Sequence, residues 1–286
     1  MSFRKLGVLF LACIMTAVIF TGCGGGEENN SPAGNNTGIR IGMIKHLNAS
    51  EEDFNGFFIK LSETFSLAMP SHKTVFFDNM NSMQMALESR QIDEISTYRC
   101  VADYLAARNP QIEILSEHTL EFIDAFCLAL REEDTELKEA ADNAIVEMRN
   151  DGTLDQLIKQ YITDANKSEN PPVVEMQHID GAETIKVAVT GDLPPLDFVS
   201  ADGKAAGFNT AVLSELSKRI NKNIELVQVD SAARAAALTS GQVDISFWAI
   251  VPVSEIIPSD ADKPAGIALT SPYYRGKIVH IGLKKS

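Results

Sequence analysis

The sequence predicts an α/β protein made of two similar halves. Strand-like and helix-like hydrophobic patterns alternate along most of the chain, as expected for parallel sheets with helices on their faces. Residues 86–93 also match residues 237–244, with the same Ala, Leu, Ser, Gln and Asp at corresponding places. Two such units indicate two similar lobes and not a long repeat array. A chain of 286 residues is long enough for both.

The first half begins with a predicted strand over residues 39–44. Ser50 and Asp53 then fit a capping box at the start of a helix with a dense stripe of phenylalanines. We interpret these aromatic residues as core. Further along, residues 75–77 and 92–96 are predicted strands that flank a helix.

The second half repeats this order. A strand over 185–189 ends at a turn that contains Gly191, and a helix follows Gly207. A second strand and an Ala-rich helix come next, and the helix ends at Gly241, a residue suited to a left-handed cap. A third strand is predicted over 243–247.

Between the halves lie an apolar strand over 125–130 and a helix over 135–149. Thr153 can cap a further helix that contains Leu154, Leu157 and Ile158. The segment 163–182 is polar and contains two consecutive prolines, so it predicts a connection between domains.

Four motifs occur in a fixed order in the second half. They are Pro195 with Phe198, the triplet Gly207-Phe208-Asn209, residues 237–244, and Ser271-Pro272-Tyr273. In this order they resemble lobe one of bacterial extracellular solute-binding proteins of the amino-acid-binding type, the receptors of ABC importers. The resemblance implies a two-lobed, periplasmic-binding-protein type II-like fold. Two crossing strands would join its lobes, with a small solute bound in the cleft between them.

The order of the segments departs from that family. Residues 151–161 resemble the family's closing segment, yet they precede the lobe-one stretch. A circular permutation explains this order, because the termini of compact domains often lie close together. The resemblance then implies four segments: 38–130 a second-lobe-like α/β domain with a crossover strand, 131–166 helices that pack on the first lobe, 167–183 a linker, and 184–286 a first-lobe-like domain with the other crossover strand.

The N-terminus predicts export. Arg4 and Lys5 precede an apolar run over 6–20, which is shorter than a membrane-spanning helix. The small residues before Cys23 resemble a lipoprotein cleavage site, so 1–22 is predicted to be a lipoprotein signal peptide and Cys23 the lipid-attachment residue. An ordinary secretory signal is the alternative. Residues 23–37 have almost no apolar content and predict a flexible tether.

Composition narrows the range of partners. A formal net charge of −14 disfavours nucleic acid and anionic membrane surfaces. The chain contains no HExxH, CxxC, P-loop, GxSxG or dinucleotide-binding pattern, and its histidines lack metal-ligand spacing. No enzyme activity, cofactor or metal is therefore predicted. Cys100 and Cys127 remain after processing, either as a disulfide or as two buried thiols.

The resemblance also implies a set of ligand-binding positions: Asp192, Phe198, Phe247, Trp248, Ala249, Asn48, Ser50, Tyr98 and Arg99. Asn48 and Ser50 would lie at a helix N-terminus suited to a carboxylate. Two family charges are missing, because residues 252–256 hold no arginine and Tyr98 stands where an aspartate is expected. Arg99 or Arg275 could replace that arginine. An ordinary α-amino acid is therefore not the expected ligand.

Three functions are compatible with these observations. The leading one is a monomeric, lipid-anchored extracytoplasmic receptor that captures a small polar solute for an ABC permease. The second is a membrane-tethered sensor or degenerate receptor with a signalling partner. The third is a secreted dehydratase-like enzyme, since fold alone does not determine function.

Overall fold

The computed structural model describes residues 38–44, 72–115, 123–168, 171–250 and 265–285. In chain order the strands are β1 (Ile39–Ile44), β2 (His72–Phe77), β3 (Glu94–Tyr98), β4 (Ile112–Ile114), β5 (Ile123–Arg131), β6 (Thr184–Val189), β7 (Asp192–Leu193), β8 (Asp197–Val199), β9 (Ala205–Ala206), β10 (Asn223–Gln228), β11 (Ile245–Ile250), β12 (Ile267–Leu269) and β13 (Tyr274–Leu283). The α-helices are α1 (Met80–Glu88), α2 (Arg99–Arg108), α3 (Thr135–Asn150), α4 (Thr153–Ile158), α5 (Phe208–Ile220) and α6 (Arg234–Thr239).

Two half-sheets have the same strand order. In the N-lobe, which we define as β1–β4 with α1 and α2, the order is β2-β1-β3-β13-β4. In the C-lobe, defined as β6–β12 with α5 and α6, it is β10-β6-β11-β5-β12. The first three strands of each half-sheet are parallel, and the crossing strand beside them is antiparallel. The internal sequence match therefore corresponds to a structural repeat, and the predicted α/β fold with two similar lobes is confirmed.

Strands β5 and β13 join the lobes. β13 pairs with β5 through Tyr274–Lys277 and then with β3 in the N-lobe. β5 begins beside β13 and continues into the C-lobe between β11 and β12. Each strand runs from one half-sheet into the other, as predicted for the crossing strands. The sequence pattern predicts the C-terminal crossing strand over 277–283, but β13 begins at Tyr274, because its first residues pair with β5.

Helices α3 and α4 pack on α5 of the C-lobe. Arg219 of α5 fixes this contact, since its guanidinium lies 2.7 Å from the Asp151 carboxylate at the end of α3. The hydrogen bonds of that carboxylate with Thr153 and Arg219 lower the pKa of Asp151 to about 2. The segment that follows is fixed to the N-lobe, where Arg108 of α2 donates to the carbonyl oxygens of Ala165 and Ser168.

The start of α5 is fixed by a close backbone approach. Phe208 N and Asn209 N donate to the carbonyl oxygens of Pro195 and Leu196, at 2.8 and 2.7 Å. Gly207 has a φ of 106°, and a Cβ there would lie 2.4 Å from the Leu196 carbonyl oxygen. Only glycine fits this position, because both the backbone angle and the neighbouring carbonyl exclude a side chain.

We expect the substitution Gly207→Ala to lower the free energy of unfolding by about 2–3 kcal/mol, since it adds a steric clash to an unfavourable φ. Gly203→Ala is the matched control: its φ is 79°, but nothing lies within 4 Å of the added Cβ. Its loss should be about 1 kcal/mol. Urea denaturation measures both, and equal losses would show that the close approach to Leu196 has no energetic effect.

Candidate functional site

The lobes meet where the carboxyl ends of the central strands face each other. After β2, the carbonyl oxygen of Asp78 accepts a hydrogen bond from Ser231 Oγ of the C-lobe at 2.7 Å. Close by, Asn81 N in the first turn of α1 donates to Asp192 Oδ2 at 3.0 Å. The Asp192 carboxylate thus meets free amides at the positive end of a helix in the other lobe. These two contacts define the candidate site.

Asp197 organises the C-lobe side of this site. One of its oxygens accepts hydrogen bonds from Thr190 N and Gly191 N, each at 2.8 Å, and from the Thr190 hydroxyl. The other accepts from Asn209 Nδ2 at 3.3 Å. Asp197 is 2% exposed, so its charge acts in a water-poor environment. The turn that presents Asp192 is therefore held by a buried carboxylate.

Two buried tyrosines extend the polar cluster toward the crossing strands. Tyr273 OH donates to Asn209 Oδ1 at 3.0 Å, and burial raises the pKa of Tyr273 well above its usual value. Tyr98 OH, from the end of β3, donates to Asp124 Oδ2 at 3.0 Å. Tyr273 therefore remains neutral at physiological pH, and both tyrosine hydroxyls act as hydrogen-bonding groups.

Arg234 is the cation of the site. It begins α6, shortly after the Ser231 contact, and its charge acts on Asp197 and, more weakly, on Asp192. Its Nε and Nη2 atoms are shielded from solvent and bond to no group in the part of the chain that the structure describes, although the residue keeps some exposed surface. Burial lowers the pKa of Arg234, and the charge of Asp197 opposes this effect. The guanidinium remains charged, because arginine side chains are not deprotonated in proteins.

Asp192 is the complementary anion. Its Oδ1 atom is buried and lacks a hydrogen-bond partner among the described residues, while Oδ2 is held by Asn81. Burial raises the pKa of Asp192, the amide bond from Asn81 lowers it, and the nearby Asp197 charge raises it. Among the described residues, the Nε and Nη2 donors of Arg234, which we call its donor edge, therefore lack an acceptor. Asp192 Oδ1 likewise lacks a donor. Buried groups of this kind are rare in folded proteins.

Of the residues predicted for the site, the structure brings Asp192, Phe198 and Tyr98 to the lobe junction. The Phe198 ring of β8 lies 6.0 Å from the ring of Tyr104 in the N-lobe, centroid to centroid. Tyr98 packs edge-on against Phe126 of the crossing strand at 4.6 Å. Their roles in binding remain predictions.

Other predicted site residues have different surroundings. We expected Phe247, Trp248 and Ala249 at the end of a strand and beyond it, but β11 continues to Ile250 because the crossing strand β5 pairs with it. Their backbone belongs to the sheet, and the Phe247 side chain is 3% exposed.

Arg99 is exposed at the start of α2, with Nε 2.9 Å from Asp103 Oδ1. Asn48 and Ser50 lie outside the described residues.

Sequence reasoning missed Arg234, Asp197 and the stretch 78–81. Arg234 is the single charged residue between Asp230 and Asp244, within an Ala-rich helix. A lone arginine in an Ala-rich helix is a usable signal. Asp197 gave no such signal, because nothing in the sequence places it beside Thr190 and Asn209.

A depression of about 610 Å³ lies at the opposite end of the C-lobe sheet, lined in part by Arg131, Asp134 and Asp244. Its arginine is already paired, since Arg131 Nη2 lies 2.7 Å from Asp134 and 3.0 Å from Asp244. Among the described residues, no three His, Cys, Asp or Glu side chains are grouped to hold a metal ion. No helix in the described ranges is long and apolar enough to span a bilayer.

Cys100 and Cys127 are buried and free, which favours the two-thiol interpretation over the disulfide. Burial raises the pKa of each thiol to about 12. Reactivity requires the thiolate, so both should resist alkylation in the native state.

We expect iodoacetamide at pH 9 to modify neither Cys100 nor Cys127 in the folded protein within an hour, and both in urea. At that pH, on the order of a thousandth of each buried thiol is ionised. The thiol pKa is higher in the folded protein than the ordinary value of 9.0, so these thiols favour the folded state at a pH below 9.0. This contribution to stability is lost as the pH rises toward 12. A cysteine placed at exposed Met85 is the reactive control, and equal rates at all three would contradict their burial.

Comparison with known proteins gives matches over parts of the chain. The model for bacterial extracellular solute-binding proteins, family 3, matches residues 185–255, which run from β6 to beyond β11. A probable histidine-binding protein of Campylobacter jejuni is 25% identical over 103 residues, which cover 36% of this chain and 37% of that protein.

Solved structures match over more of the chain at lower identity. The zinc-bound ligand-binding component of an ABC-type import system from Staphylococcus aureus has a TM-score of 0.45 at 12% identity. The match covers 86% of this chain and 65% of that one. The periplasmic domain of BvgS from B. pertussis has a TM-score of 0.43 at 12% identity. The match covers 87% of this chain and 37% of that one.

Proposed function

We propose that the protein is a lipid-anchored extracytoplasmic solute receptor that closes its two lobes on a small polar molecule and presents it to an ABC permease. The match of residues 185–255 to the solute-binding family carries this proposal. The geometry supports it, because the unfilled groups of Arg234 and Asp192 lie at the junction of two lobes joined by two strands. A ligand that contacts both lobes stabilises the closed arrangement.

The circular permutation belongs to the same proposal. The N-lobe would be the family's second lobe, β5 one of its crossover strands, and α3 and α4 the helices of its closing segment. The packing of α3 and α4 on α5 supports this assignment. So do the contacts of Ala165 and Ser168 with Arg108 of the N-lobe and those of Ile179 and Ala182 with Asn223 of the C-lobe. The domain boundaries drawn from the sequence remain a prediction.

Thermal-shift measurements on the full chain in mild detergent test the binding function. The screen would contain amino acids, hydroxy acids, dicarboxylic acids, short peptides, sugars and polyamines. A solute present at 100 times its dissociation constant should add about 2.7 kcal/mol to the free energy of unfolding. A library without any stabilising compound would count against solute capture.

Lipid attachment is tested separately, since Cys23 lies outside the described residues. We expect mass spectrometry of the mature N-terminus to find an acylated cysteine, and Cys23→Ser to move the protein from the membrane fraction to the soluble fraction. Retention of the Cys23→Ser protein on membranes would contradict the predicted anchor.

A sensor or degenerate receptor is the second candidate, and one observation favours it. The N-terminus of α1 is already occupied by the protein's own Asp192 carboxylate, and Ser231 holds Asp78 beside it. A receptor that closes through such contacts could signal to a membrane partner instead of delivering a solute. Import would be favoured if a permease and ATPase co-purify with the protein, and sensing if a histidine kinase does.

A further inference from the structure

We propose that Arg234 binds the ligand's carboxylate side-on, through Nε and Nη2, and that the solute is therefore a small organic acid with a hydrogen-bond donor near its carboxylate. This inference rests on the proposed function. It concerns an arginine at the start of α6, whereas residues 252–256, where the family resemblance implies an arginine, hold none.

The first argument is the geometry of the unpartnered nitrogens. Nε and Nη2 lie on the same edge of a guanidinium, and both are buried without a hydrogen-bond partner in the described part of the chain. Two parallel N–H groups on one edge match two oxygens of a planar carboxylate. A neutral ligand with one acceptor would leave one of these buried donors unsatisfied, which weakens its binding.

The second argument is that the protein's nearby carboxylates are occupied elsewhere. Asp197, the strongest negative influence on Arg234, uses its oxygens for Thr190, Gly191 and Asn209. Asp192 uses Oδ2 for Asn81 of the other lobe. The donor edge of Arg234 therefore remains for a group that the described part of the chain does not supply.

The third argument concerns the rest of the ligand. Asp192 Oδ1 is buried and needs a donor, which a hydroxyl, amide or amine of the ligand would provide. Because Asp192 also contacts α1, a ligand bound to both Asp192 and Arg234 would lie at the junction with the N-lobe. Polyamines lack the acceptor that Arg234 requires and should not bind.

The test uses the purified full chain and pairs of compounds. Each amino, hydroxy and dicarboxylic acid is compared with its primary amide, and spermidine is included as a cation. We expect the stabilising compound to carry a free carboxylate and its amide to give no shift.

By titration calorimetry, Arg234→Met should weaken binding at least about 30-fold, because the buried carboxylate of the ligand would lose its positively charged partner. Arg234→Lys should weaken it about tenfold, because it keeps the charge and loses the fork. Arg40→Met, on β1 and outside the site, should bind like the wild type.

The outcomes separate the two proposals. If the stabilising compound lacks a carboxylate, or if Arg234→Lys and Arg234→Met bind it within twofold of the wild type, this inference is wrong while the receptor function stands. If Arg234→Met does not fold, the acid–amide comparison on the wild type and the Arg234→Lys variant still decide. If no compound stabilises the wild type, both proposals fail.

Discussion

Replacing Asp197 with alanine should lower the free energy of unfolding by about 3–5 kcal/mol, because several buried donors would lose their charged acceptor at once. The amides of Thr190 and Gly191, the Thr190 hydroxyl and the Asn209 side chain all bond to this carboxylate. The same change should weaken solute binding, since it releases the turn that presents Asp192. Urea denaturation followed by circular dichroism measures the loss of stability.

Asp202→Ala is the matched control for Asp197→Ala. Asp202 is exposed in the next turn and accepts a hydrogen bond from the Ser200 hydroxyl. Its removal should change stability by no more than about 0.5 kcal/mol. If Asp197→Ala costs as little as this control, the carboxylate does not organise the site and the description of its network is wrong.

Phe208→Ala should also destabilise the protein by about 3–5 kcal/mol, the usual range for an aromatic side chain removed from a core. Phe208 is 0% exposed, and its ring centroid lies 6.1 Å from that of Tyr273 and 5.1 Å from that of Tyr274. Removal of the ring would leave a cavity between α5 and the start of the crossing strand β13. Unfolding should remain cooperative but occur at a lower urea concentration.

Phe198→Ala provides the comparison for this second change. Phe198 is half-buried at the lobe junction, where its ring meets Tyr104 of the N-lobe. We expect its loss to cost about 1–2 kcal/mol, since less apolar surface returns to water. Equal effects at Phe208 and Phe198 would mean that the core beside β13 is less tightly packed than its burial indicates.

The sequence was sufficient to predict the repeated architecture. The match of residues 86–93 to 237–244 corresponds to the turn before β3 and the turn before β11, and the two half-sheets share one strand order. Hydrophobic periodicity gave the strands, and Gly207 marked the start of α5. These features depend on neighbours in sequence, so they can be predicted from local patterns.

The features that were missed depend on contacts between distant residues. Trp248 was placed beyond a strand end because nothing local to it reveals that Cys127 of β5 pairs with it. Arg234 lies in a stretch that predicts an ordinary surface helix. Its importance comes from nitrogens that remain unpartnered after Asp197 has bound Thr190 and Asn209. Which polar groups a fold leaves unsatisfied is a tertiary property.

The proposed closure of the lobes around a solute is measured most directly by a distance between the lobes. Met85 on α1 is 69% exposed, and Val146 on α3, which packs on the C-lobe, is 41% exposed. Spin labels on cysteines at these positions, with Cys13 and Cys23 replaced by serine, would report the separation by double electron–electron resonance. The buried native thiols should stay unlabelled.

We predict a broad distance distribution without solute and a shift to one narrow, shorter distance when the stabilising solute is added. An unchanged distribution with that solute bound would contradict a receptor that works by closing its two lobes.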